Sequence, residues 1–202
     1  MMLSFRDKNP SIAETAYVAL TAVIRGDVSI GEGTAVLAGA AITAEGGAVT
    51  IGSDCVVMEQ AVLPGAPRKP LVLGDRVLVG PHAHLTGCLV ESDCFLATGT
   101  KVFNNARLEK DTEVRIGGIV HVGTRLSASS MVPIGWVAVG DPAEILSPGE
   151  HERIWAVQRT LDFPGTVFNV DRKVPRGERT KRYARALRRQ REDRILEGGN
   201  EG

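Results

Sequence analysis

From Ile12 to Val132 an aliphatic side chain returns at every sixth position, a spacing that few folds accommodate. The register runs Ile12, Val18, Ile24, Ile30, Val36, Ile42, then restarts as Ile51, Val57, Leu63 and again as Leu73, Val79, Leu85. From Val90 it continues without a break through Leu96, Val102, Leu108, Val114, Val120 and Leu126 to Val132. Six matches neither the helical period of about 3.6 nor the strand period of about 2. It fits a short strand plus a turn, repeated as one side of a coiled prism, so the chain reads as a hexapeptide-repeat β-helix. Three hexads then make a turn of about 18 residues, with successive coils about 4.8 Å apart. Glycine often follows the anchor, as in Ile30-Gly31, Ile51-Gly52, Leu73-Gly74 and Val79-Gly80.

Breaks in the period mark where the chain leaves the prism. Extra residues appear around Gly46-Gly47, and an insertion with Pro64, Gly65, Pro67 and Pro70 predicts a protruding loop. The repeat closes near Leu146, which bounds a β-helix at about residues 11–146. Ser147-Pro148 offers a helix start, so residues 147–163 are expected to hold a helix that packs on the prism until Phe163-Pro164-Gly165 breaks it. Residues 164–202 read as an extended segment and an arginine-rich tail, helical over about 178–196 or disordered. A binding arm for an acidic partner, RNA or anionic lipid is the alternative for that tail.

Composition narrows the function classes. The chain has 202 residues, room for one substantial domain and an appendage. Its formal net charge of zero argues against a nucleic-acid binder, except weakly through the basic stretch Arg172–Arg194. Aromatics are only 4%, as expected of a narrow interior filled by stacked Val, Ile and Leu. Cys55, Cys88 and Cys94 form no CxxC pair and read as reduced thiols, with Cys55 and Cys94 turned inward two residues before an anchor. The short, charged start Met1–Pro10 is no targeting segment, and no apolar run nears the roughly 20 residues that span a bilayer. A cytoplasmic protein is expected.

The hexads, the loop after Leu63, the Gly87-Cys88 pair and the ending Val139-Gly-Asp-Pro-Ala-Glu144 resemble the γ-class carbonic anhydrase family over roughly residues 11–146. The resemblance implies a left-handed parallel β-helix, an exception to the right-handed crossover rule, assembled as a homotrimer. It also implies one zinc per subunit interface, held by three histidines and supported by Arg, Asp and Gln. Such a zinc makes a hydroxide nucleophile at neutral pH. Matched residue by residue, however, the three histidine positions hold Pro64, Pro81 and Thr86. The supporting Arg and Asp fall on Thr43 and Glu45, and the supporting Gln on Met58. The standard site is therefore absent, and ordinary CO2 hydration is not expected. An Arg-Gly-Asp does occur at Arg25–Asp27, one coil early, and reads as a repeat turn.

The remaining polar chemistry lies in His82, His84 and His121, with His151 in the C-terminal helix. On a strand, His82 and His84 would point to one side. With a neighbouring subunit's His121 they could hold zinc or another divalent transition metal, or bind a small molecule at the interface. His121 lies two coils, about 10 Å, from the Leu85 coil, too far to complete such a site within one subunit. Taken singly, each histidine reads more readily as a surface or interface residue bonded to backbone or carboxylates. Hexapeptide-repeat acyltransferases share the Gly-x-Pro-Ala ending and use a histidine as general base beside acyl-CoA, which makes His82, His84 or His121 a candidate base. Non-catalytic γ-class relatives make a trimeric scaffold without chemistry a third class.

Overall fold

The computed structural model describes residues 1–44, 46–188 and 194–196. Short parallel strands run in succession around three faces and stack along the axis as one ten-stranded and two seven-stranded sheets. The coil is a left-handed β-helix, as the resemblance implied. On the first face Ile24, Ile42, Leu63, Leu85, Val102 and Val120 form one column. The second face aligns Ile30, Ile51, Leu73, Val90, Leu108 and Leu126. The third aligns Val36, Val57, Val79, Leu96, Val114 and Val132. All of these anchors are buried. A strand of two or three residues turns one side chain inward and its neighbours outward, hence one anchor per hexad. Each such burial stabilises the fold by about 1.5–3 kcal/mol relative to exposure.

The corners need left-handed backbone. Asp54, Gln60, Arg76, His82, Asp93, Asn105, Asp111 and Ser129 share this conformation with glycines such as Gly33 and Gly99. A different constraint governs the glycine after a second-face anchor. A Cβ built on Gly52 would lie 2.6 Å from the carbonyl carbon and oxygen of Gly74 in the next coil. Gly31, Gly52 and Gly74 occupy three successive coils of that column, where the stacked backbones leave no room for a side chain, and Glu91 and Glu109 follow them in the next coils.

The strands begin at Met2–Ser4, which pairs with Val23–Arg25, so the prism opens before the first hexad. The two insertions pack on each other: Gly47 lies under the loop that carries Ala66 and Lys69, with its Cβ position 2.5 Å from the Ala66 carbonyl oxygen. Both ends of the first face are covered by antiparallel strands, Glu144–Leu146 at one end and Arg194–Ile195 at the other. Covered edges cannot template further strand pairing.

Three helices follow the prism: α1 (His151–Gln158), α2 (Phe163–Phe168) and α3 (Arg176–Leu187). The segment Phe163-Pro164-Gly165, expected to end a helix, opens α2 instead. Proline is tolerated in a first turn, where its missing N–H costs nothing. The Asp162 carboxylate accepts a hydrogen bond from the Gly165 N–H at 3.1 Å, and Asn169 closes the helix in left-handed conformation. The helix expected over 178–196 appears as α3 and the short strand near Ile195, while residues 189–193 of that stretch lie outside the described residues. No described helix is long and apolar enough to cross a membrane.

Candidate functional site

The residues that directly follow the first-face anchors form an outward column: Arg25, Thr43, Pro64, Thr86, Phe103 and His121. Within it Thr43, Pro64 and Thr86 occupy successive coils, and the Gly87 N–H donates to the Pro64 carbonyl at 3.1 Å. Pro81 stands at the other edge of the face, where the chain enters it, and Met58 lies on the coil beneath, its N–H bonded to the Val79 carbonyl. Glu45 lies outside the described residues. Proline has no side-chain donor atom, and a neutral threonine hydroxyl is a poor zinc ligand beside imidazole. These residues do not fit a zinc centre.

The three candidate histidines occupy different settings. His82 is exposed on a corner in left-handed conformation, its N–H bonded to the Glu59 carbonyl. It therefore precedes the strand that carries His84, and the shared-strand argument for their common direction does not hold. His84 is half-buried between Val62 and Lys101 of the adjacent coils. Its Nε2 lies 2.7 Å from the Thr86 hydroxyl. Burial, with Lys101 beside it, holds its pKa below the ordinary histidine range, so the ring is neutral near pH 7. A neutral imidazole in contact with a hydroxyl can act as a hydrogen-bond acceptor or a proton acceptor.

His121 does not stand with the other two. It is 6% exposed, with its ring 5.7 Å from Phe163 of α2 and 6.3 Å from Phe103. Helix α2 thus covers the imidazole, which the sequence had placed at an open interface. His121 offers a metal nothing while Phe163 lies over it. Among the described residues no group of three or more His, Cys, Asp or Glu could hold a metal ion. His151 begins α1, away from this column.

Two features had no clear sequence signal. Arg25 is 4% exposed, and its guanidinium carbon lies 3.9 Å from the centre of the Phe5 ring. The Arg-Gly-Asp arginine is thus part of the packing between the N-terminal strand and the prism, a close cation–π contact. The other feature is a run of rings, Phe103, His121, Phe163, Phe168 and Tyr183, that ties α2 and α3 to the first face. Phe103 and His121 stand one coil apart in the hexad register, but the rings from α2 and α3 share no period with them.

No protein-family model matches the chain. Over 159 residues, 76% of its length, it is 30% identical to γ carbonic anhydrase 1, mitochondrial, of Arabidopsis thaliana, of which it covers 56%. Over 108 residues, 54% of its length, it is 28% identical to a carbonic anhydrase of Geobacillus kaustophilus, of which it covers 59%. The chain thus spans little more than half the length of these relatives. Among solved structures, a UDP-N-acetylglucosamine acyltransferase from Bacteroides fragilis superposes with a TM-score of 0.58 at 15% identity, over 87% of this chain and 78% of that one. That likeness is one of fold alone.

Proposed function

We propose that this chain, a γ-carbonic-anhydrase-like member of the hexapeptide-repeat left-handed β-helix superfamily, is a homotrimeric scaffold that does not carry out ordinary CO2 hydration. In this reading it binds a small polar ligand at the subunit interface around His82 and His84. The observation that carries the proposal is the set of residues at the family's ligand positions, Pro64, Pro81 and Thr86. None supplies the imidazole that makes zinc-bound water acidic. The adjacency of Pro64 and Thr86 on the first face supports the residue matching. What the site retains is the His84–Thr86 pair, an imidazole nitrogen and a hydroxyl 2.7 Å apart. A metal held by His82 and His84 would need its third donor from another copy of the chain.

The test combines metal analysis of untagged protein with stopped-flow CO2 hydration. The expected result is no stoichiometric zinc and no hydration above the uncatalysed rate; hydration abolished by a chelator would overturn the proposal. For a metal other than zinc, the His82→Ala/His84→Ala variant should lose whatever metal the parent retains. A second reading, acyl transfer from acyl-CoA, is favoured by the neutral His84 ring in contact with a hydroxyl, the state a general base needs. Acetyl-CoA titration by calorimetry decides it, and no heat at high ligand concentration rejects it.

A further inference from the structure

Helix α2 meets the prism through Phe163, whose ring lies 5.6 Å from Phe103 and 5.7 Å from His121. From there the contact passes to Phe168 and to Tyr183 of α3. Beside these ring contacts the Lys69 ammonium donates to the Thr166 carbonyl at 3.4 Å. His121 Nδ1 is buried with no hydrogen-bond partner, as are both amide atoms of Asn104, the residue after Phe103. An imidazole placed this way is accommodated as a neutral ring.

We infer that α2 is a strap held on the prism by the uncharged ring of His121, and that proton uptake at this ring releases α2 together with α3. Protonation adds a charge and a second N–H donor to a ring enclosed by phenylalanines. The tilted Phe rings offer a cation only a weak attraction, less than the hydration the charge gives up. The charged groups on the packed elements are Asp162 and Lys69 beside α2, Lys101 on the first face and, on α3, the ion-paired Glu178 and Arg182 with four further Lys and Arg residues. Asp162 is engaged with the Gly165 N–H, Lys69 with the Thr166 carbonyl and Lys101 with the Gly99 carbonyl, while Arg179 carries positive charge. Among the described residues no carboxylate is ion-paired with His121, although Asp162 beside Phe163 keeps its charge. Burial lowers the proton affinity of His121.

The sign follows from proton linkage. Above about pH 6.5, the free-histidine value, the ring is neutral in both states and docking is independent of pH. Below it the released state takes up a proton that the docked state refuses, so docking weakens as pH falls. Release would uncover Phe103 and free the basic helix α3.

Hydrogen–deuterium exchange of the full chain at pH 7.5 and 5.5, corrected for intrinsic rates, tests the strap. Amides of residues 163–187 should exchange faster at pH 5.5, by at most about tenfold, because the free-histidine value lies only about one unit above that pH. The first-face strands should not change. In His121→Phe the acid response should vanish, and Phe163→Ala should show the fast exchange already at pH 7.5. An NMR titration of the four histidines of the parent protein provides a check that needs no variant: the exchange midpoint must track His121. No acid response in the parent, a response that survives in His121→Phe, or a midpoint that follows His82, His84 or His151 would overturn the inference.

Discussion

Thr86 shows how one side chain separates scaffold from chemistry. The family resemblance matches it to a zinc histidine, and its hydroxyl lies 2.7 Å from His84 Nε2. Reintroducing imidazoles as Pro64→His/Pro81→His/Thr86→His is expected to give about one zinc per chain, since three nitrogens and a water complete a tetrahedral site. Metal analysis checks this, and an intact assembly with no added zinc would show that the surrounding shape has been lost as well. The cysteines are a second residue-scale case. Burial pushes the Cys88 thiol up to about 12 and raises Cys55 and Cys94 as well. Only thiolate is nucleophilic, so iodoacetamide at pH 8 should leave the folded protein unmodified and label all three after urea, as read by intact mass. Their inward direction was legible two residues before each anchor. The cover over His121 was not, because Phe163 reaches it from a segment that has no register with the hexads.

At the scale of the element, coil stacking and helix capping obey different rules. Gly52→Ala should cost at least the 1–3 kcal/mol typical of overpacking. Its Cβ would meet backbone 2.6 Å away, which cannot swing aside as a side chain would. A denaturant midpoint unchanged from the parent would contradict that packing. Asp162→Ala removes the carboxylate that caps α2 and should cost the helix about 1 kcal/mol. Faster amide exchange confined to α2 and its neighbours is the expected signature, and faster exchange in the prism would speak against it. The hexads announced the coils from Ile12 onward because each strand is specified locally by one inward residue, while the strand Met2–Ser4 lies outside their register. The helices were less legible. Phe163-Pro164-Gly165 reads as a breaker in isolation and becomes a helix start only because Asp162 supplies the cap. In α3 no residue is buried, so its sequence carries little apolar periodicity to detect.

At the scale of the molecule, the prism leaves large side chains such as Tyr17, Phe95 and Met131 exposed on its third face, at 58%, 44% and 40%. On the homotrimer proposal part of the surface is covered by other copies. Light scattering should then give three times the 21.5 kDa chain mass, and a monomer mass at micromolar concentration would remove the interface on which the His82 and His84 reading depends. Sequence by itself determined the coil, its faces and its inward columns, because a repeat with one buried anchor per strand is a local code that each coil reads independently. In the same register, the proposed match to the family's zinc positions falls on Pro64, Pro81 and Thr86. Tertiary structure alone decided what lies over the surface of the prism: Phe5 on Arg25, and Phe163 on His121. Those contacts join segments far apart in the chain, where no period relates the partners and only the folded geometry brings them together.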